Sequence, residues 1–179
     1  MDFDDHGQWY LDQPTNENGT ELVTGTFWRG KRWTSSTALK TKVRQEGHPV
    51  SFSHSGASEY IVSKTLMDVL RDALPENSLQ GIPVVIEDYD DPYEILNVLD
   101  VVDCVDESRS DFSIWAPEDG RPEMVGEYRM NVLKIDAIKT NNHELFRIAG
   151  WRIALICSER IRNLLVKNGV TGVRFMPVD

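Results

Sequence analysis

The stretch YEILNVLDVVDCV, residues 93–105, decides the fold class. It is rich in β-branched residues, lacks Gly and Pro, and places apolar side chains at both odd and even positions, so neither face of a pleat drawn through it is polar. Such a run predicts one long strand in the middle of a sheet, covered on both sides.

Strand signals surround it. IPVVIE (82–87) reads as a short apolar strand before it, and DFSIW (111–115) as a strand pairing with it across the DESRS turn. EYRMNVLKI (127–135) alternates Tyr128, Met130 and Val132 with Arg129 and Asn131, the pattern of a half-buried strand. LFRIA and WRIALI (145–149 and 151–156) are two short strands or one strand bent at Gly150. Residues 1–25, with the turn cluster QPTNENGT at 13–20, read as loop or short edge strands.

Helical periodicity appears twice. In SKTLMDVLRDAL (63–74), Leu66, Met67, Val69, Leu70 and Leu74 share a face, Ser63 is a good N-cap and Pro75 follows the end. SERIRNLLVKN (158–168) has Ser158 as N-cap and Gly169 at its C-terminal end, with TGVRFMPV as a strand after it. The two segments align, Ser63 with Ser158, Leu66 with Ile161, Val69 with Leu164 and Leu70 with Leu165. Either a strand-helix-strand unit is used twice against a shared sheet, or two helix starts obey the same grammar. Both readings give an α+β fold with a mainly antiparallel sheet and two principal helices. The 179 residues suffice for a single domain, 1–179, with an N-terminal part (1–80) and a C-terminal part (81–179).

Charge is concentrated. Residues 87–119 hold twelve acids against the single base Arg109, while the rest of the chain has seventeen acids and eighteen bases, so this segment carries the whole net charge of −10. Carboxylates repel phosphate, which argues against nucleic acid as a partner. A shorter basic stripe, Arg29, Lys31, Arg32, Lys40, Lys42 and Arg44, reads as a solvated segment or an internal partner of the acids. No apolar run approaches the roughly 18 residues a membrane span needs, and the start MDFDDHGQWY is acidic where a secretory signal would be basic. These features predict a cytoplasmic protein without membrane contact. Cys104 and Cys157 sit in apolar surroundings and read as buried thiols, which leaves no cysteine zinc site.

Motifs of chemistry are weak. GTFWRGKR (25–32) has the Gly25, Gly30 and Lys31 of a phosphate loop, but Arg32 stands where Ser or Thr should hold magnesium, and Phe27 and Trp28 crowd the loop. FSHSGAS (52–58) lacks a Gly two residues before Ser55, as a nucleophile elbow requires. His6, His48, His54 and His143 form no i, i+4 pair, so no metal site is expected. Asp88, Asp90 and Asp91 share a turn that could hold a divalent cation weakly, or simply be solvated. On a continuous strand Asp100 and Asp106 point one way and Asp103 the other, so the three do not converge, and Asp103 is expected to be partly buried.

What stands above background is an acidic segment interleaved with rings: Asp88, Tyr89, Asp90, Asp91, Tyr93, Glu94, Asp100, Asp106, Glu107, Asp111, Phe112 and Trp115. A one-sign field raises encounter rates, and rings supply desolvated contact, so these residues are the candidate contact surface for a basic protein. Trp115 is the expected hot spot. An enzyme using carboxylates near 88–106 is the alternative from another class, and an escorting adaptor or chaperone is a third.

The order VLDVVDCVDESRSDFSIW (98–115), FRIAGWRIALICSERIRNLL (146–165) and GVTGVRFMPV (169–178) resembles a family of bacterial immunity proteins encoded beside polymorphic toxins, first described as a domain of unknown function and represented in myxobacteria and other proteobacteria. The Ser158-led helix and the Gly169–Pro177 run are its most specific pieces, and the resemblance is strongest over 82–179. It implies a cytoplasmic α+β protein that binds and neutralises a cognate toxin, and it brings no catalytic residues with it; no cofactor is expected, and the sequence leaves a homo-oligomer open.

Overall fold

A computed structural model describes residues 2–3, 7–56 and 59–178; Ser58 of the FSHSGAS stretch and His6 lie outside the described residues. In chain order the strands are β1 (Asp2–Phe3), β2 (Tyr10–Leu11), β3 (Thr15–Asn16), β4 (Leu39–Thr41), β5 (Val43–Gln45), β6 (Phe52–His54) and β7 (Tyr60–Ser63). Helix α1 (Lys64–Ala73) follows, then β8 (Leu79–Ile86), β9 (Tyr89–Val98), β10 (Val101–Val102), β11 (Asp111–Ile114), β12 (Tyr128–Val132), β13 (Leu145–Ile148) and β14 (Trp151–Cys157). Helix α2 (Glu159–Lys167) and β15 (Val173–Arg174) complete an α+β fold dominated by antiparallel sheet.

The largest sheet has the order β3-β4-β8-β9-β7-β6, and only the β4–β8 pairing is parallel. β9 lies inside it, and Ile95, Leu96 and Val98 are fully buried. One sheet face packs Ile61, Ile82, Val84 and Ile95 against Trp9, Leu11 and Phe27 of the N-terminal segment. The opposite face packs Tyr60, Val62, Leu96 and Val98 against α1, α2 and the β13–β14 hairpin. That two-sided cover is why the stretch read as apolar on both pleat faces, and each fully buried aliphatic side chain contributes about 1.5–3 kcal/mol relative to exposure.

The single strand expected over 93–105 is nevertheless interrupted. After Val98 the backbone changes partners: the Leu99 amide donates to the Ser78 carbonyl at 2.8 Å, while the Asp100 carbonyl accepts from the Arg147 amide at 2.9 Å. The chain thereby leaves the six-stranded sheet and enters a second one, β10-β13-β14, over a separate core of Val102, Cys104, Val105, Ile135, Phe146, Ile148 and Ile156. β11 pairs not with this stretch but with β12, because the turn after Val105 directs it away. Cys104 is buried, Cys157 is half-buried, and both thiols are free.

Both serines cap their helices as expected. Ser63 Oγ accepts from the Leu66 amide at 3.3 Å and Ser158 Oγ from the Ile161 amide at 3.2 Å. The helices also meet in one core, Leu66, Met67, Leu70 and Leu74 beside Ile161 and Leu165. The shared sheet is not observed. β7 and β8 flank β9, whereas β14 belongs to the second sheet and β15 is a two-residue strand paired with β1, so the likeness extends to helix starts and apolar faces only. Replacing either serine with alanine is expected to lower stability by about 1 kcal/mol, read from the urea midpoint, with the near-equal effects the matching caps require.

Candidate partner-binding surface

The acidic segment does not form one face. Glu87, Asp88, Asp90 and Asp91 are exposed at the β8–β9 turn, where Asp88 takes a left-handed conformation with φ 62°. Asp100 to Asp111 follow the other end of β9, a ten-residue strand spanning roughly 30 Å. Between them the chain is buried.

Two candidate contact residues therefore face inward. Tyr93 is 6% exposed and donates its hydroxyl to the Val50 carbonyl at 2.9 Å. Burial, reinforced by Tyr89 and Asp91, pushes its phenol well above the ordinary tyrosine value. Glu94 is 5% exposed and forms a forked ion pair with Arg71 of α1, one bond of which is 3.1 Å. Both belong to the sheet interior, because residues 93–98 are covered on both faces.

At the β8–β9 turn, Tyr89 donates to Asp91 Oδ2 at 3.0 Å and lies edge-on to Trp9 with ring centroids 5.0 Å apart. The Glu87 amide donates to the Thr41 carbonyl, so exposed Lys42 follows directly on the neighbouring strand and offsets part of this negative charge. That half of the basic stripe does neighbour the acids, although no ion pair joins them among the described residues.

The far end is more strongly built. Asp103, expected to be partly buried, is exposed, and it shares with Asp106 a hollow of about 440 Å³ that Glu107, Tyr128, Asp136 and Lys139 also line. Convergence follows from the broken strand: Cys104 and Val105 are both buried, so strict alternation fails between Asp103 and Asp106. The Ser108 hydroxyl and the Arg109 guanidinium, at 2.6 Å each, hold the Asp106 carboxyl down at about 2. Glu107 Oε1 accepts from the Tyr128 hydroxyl at 2.6 Å, which pushes that phenol up to about 12. Asp136 caps the turn at Ala137–Thr140 by accepting from the Ile138 amide at 3.0 Å. Asp100 lies apart, 3.0 Å from His143 Nδ1, and exposed Asp111 accepts from Asn131.

Trp115 is covered by cations. The Arg129 guanidinium covers its ring at 3.7 Å and Arg121 lies at 5.4 Å, while Phe112 packs edge-on against Tyr128. Arg129 is itself paired with Asp119 at 3.4 Å, so the ring of Trp115 lies in a setting of mixed charge.

The phosphate-loop motif has a different use. Gly25 and Gly30 have φ of 79° and 64°, conformations that glycine adopts without strain, but no helix follows and Phe27 is buried. The backbone of Phe27 and Gly25, which such a loop would aim at phosphate, lies beside the buried carboxyl of Glu59, whose burial pushes it up to about 7 against the opposing effect of Arg147 and that backbone. Among the described residues no group of three His, Cys, Asp or Glu could hold a metal ion, and no helix is long and apolar enough to cross a membrane.

Asp103, Asp136, Lys139 and Tyr128 were not among the candidate contacts. Asp136 had a local signal, an N-cap position after an apolar strand, but its place beside Asp103 depends on the Val105–Ile135 bridge, a pairing between distant segments.

The molecule is thus an α+β scaffold carrying a charged hollow whose carboxylates are tied to serine, arginine and tyrosine. The immunity protein family Imm11 matches residues 4–179, and the chain belongs to that family. A search of curated proteins finds no match.

Proposed function

We propose that this immunity protein binds a cognate toxin and neutralises it by occlusion, with the hollow of Asp103, Asp106, Glu107 and Asp136 receiving a basic side chain of the toxin. The observation carrying this reading is the gathering of four carboxylates from two chain segments around one concavity, with Ile138, 90% exposed, in the turn that brings Asp136 and Lys139 to it. The exposed acids Asp88, Asp90 and Asp91, some 30 Å away and beside Lys42, act as a steering field rather than as the contact.

Neutralisation by binding needs no catalytic step or cofactor. The carboxylates suit that role: Asp106 is held too acidic to exchange protons near neutrality, and those of the β8–β9 turn are exposed, without the desolvation that general acid-base work requires. The protein would act in the cytoplasm of the toxin-producing cell.

The double substitution Asp103→Lys with Glu107→Lys is expected to slow association with the toxin encoded beside this gene at least tenfold at low salt, with unchanged folding. Reversing Asp88, Asp90 and Asp91 is expected to slow it less and to leave dissociation unchanged. Stopped-flow binding separates the two ends; full-speed association by the first variant would remove the hollow from the interface. Rescue of cells expressing the toxin separates an inhibitor from an escorting adaptor.

A further inference from the structure

Among the described residues, the ribbon of β11 and β12 has an outer edge with no strand beside it: β11 pairs with β12 alone. On the other edge the Tyr128 amide donates to the Gly150 carbonyl at 2.7 Å, so β12 turns its outward groups to the β13–β14 turn. Trp115 faces into the ribbon, its amide donating to the Glu127 carbonyl at 3.0 Å and its carbonyl accepting from the Gly126 amide at 2.9 Å. Backbone groups alternate along a strand, so Ser113 also faces β12, and the amides and carbonyls of Phe112 and Ile114 point out along the free edge. Ser113 and Ile114 are exposed, and the DFSI run holds no lysine or proline to block an incoming strand.

The edge is complementary to itself. Laid antiparallel on its own image about a two-fold axis at Ser113, it sets Phe112 opposite Ile114 of the second copy and Asp111 opposite Trp115 of the second copy. Every outward amide then meets a carbonyl. The first pair joins a ring to a β-branched side chain that is 48% exposed. The second joins opposite charges on one face of the ribbon, where Asp111 accepts from Asn131 and the Trp115 ring carries the guanidinium groups of Arg129 and Arg121. Of those two arginines, only Arg129 has an ion pair among the described residues, with Asp119.

We propose that the outer edge of β11 is a homodimer interface, in which the β11 strands of two copies pair antiparallel about Ser113 and join the two ribbons into one sheet. So short an edge buries little area, and the dimer is a weak one that forms as concentration rises. The pairing does not depend on the toxin-binding reading.

Cysteine cross-linking in a thiol-disulfide buffer tests the register. Opposed Ser113 residues make a non-hydrogen-bonded pair with Cα atoms about 4.5 Å apart, within disulfide reach, whereas Ile114 lies two positions from its own counterpart. Ser113→Cys is therefore expected to form a disulfide dimer about tenfold faster than Ile114→Cys, with the native protein measuring the background from Cys104 and Cys157. Sedimentation velocity over a concentration series is expected to show the native protein dimerising, and Ile114→Pro, which lacks one outward amide, doing so about tenfold more weakly. Equal cross-linking of the two cysteine variants, or a native protein that stays monomeric throughout, overturns the proposal, and neither result depends on the folding of Ile114→Pro. A dimer of undiminished strength in Ile114→Pro overturns it as well. So does protection of the Phe112 and Ile114 amides from hydrogen exchange that appears only when the neighbouring toxin is added to a monomer, since the edge would then belong to a toxin strand.

Discussion

Gly81→Ala is expected to destabilise the protein by about 3 kcal/mol, a shift of several degrees in Tm at this size. Gly81 lies on β8 opposite Leu96, and the Glu94 side chain crosses its bare Cα to reach Arg71. A methyl group there would overlap both a Glu94 carboxylate oxygen and an Arg71 guanidinium nitrogen. Arg71 is 37% exposed and can turn towards Asp68, but the Glu94 side chain, at 6%, has nowhere to go, so the substitution leaves a buried carboxylate without its cation. The cost is that of the stranded charge; the intact pair contributes less, being partly screened by solvent. Glu94→Gln in the Gly81→Ala background should recover part of the loss, because a neutral amide need not keep a cation. Equal Tm values for native protein and Gly81→Ala would contradict the packing described here.

Glu59→Gln is expected to raise stability by about 2 kcal/mol at pH 8 and to lower it by about 0.5 kcal/mol at pH 4.5. The sign follows from proton binding. Glu59 titrates at about 7 when folded, against an ordinary value of 4.5, so the folded state holds the proton more tightly. Its stabilising share is complete below pH 4.5 and is lost as the pH rises to about 7. A shift of this size corresponds to about 3 kcal/mol, and burying the amide of Gln beside the unsatisfied Oε2 position takes back about 1 kcal/mol. Urea unfolding of both proteins from pH 4.5 to 8 measures the difference, which cancels contributions from His48, His54 and His143. Parallel stability curves would show that Glu59 is not desolvated as described.

Local grammar made much of the fold legible in the sequence. Both helices begin at the serines that periodicity selected, and the two-sided apolar character of 93–98 marked an interior strand. The strand's end at Val98 was not legible, because it depends on Ser78 and Arg147 taking over the hydrogen bonds of Leu99 and Asp100, and neither pairing leaves a trace near position 99. The surface was legible in composition but not in arrangement. Net charge along the chain ignores the length of β9, which puts the two groups of acids at opposite ends, and it ignores Arg71, which withdraws Glu94 from the surface. The pairing of Asn97 with Gln80 gave no signal at all, since polar residues so far apart in sequence meet only through strand register.

The central claim is that the Asp103–Glu107 end of the protein meets the toxin. Its most direct measurement is the affinity of Asp103→Lys with Glu107→Lys for the neighbouring toxin, paired with survival of cells expressing both. The account predicts affinity weakened at least a hundredfold and protection lost, with Asp88→Lys still protecting. Full protection and native affinity in the double variant would contradict it.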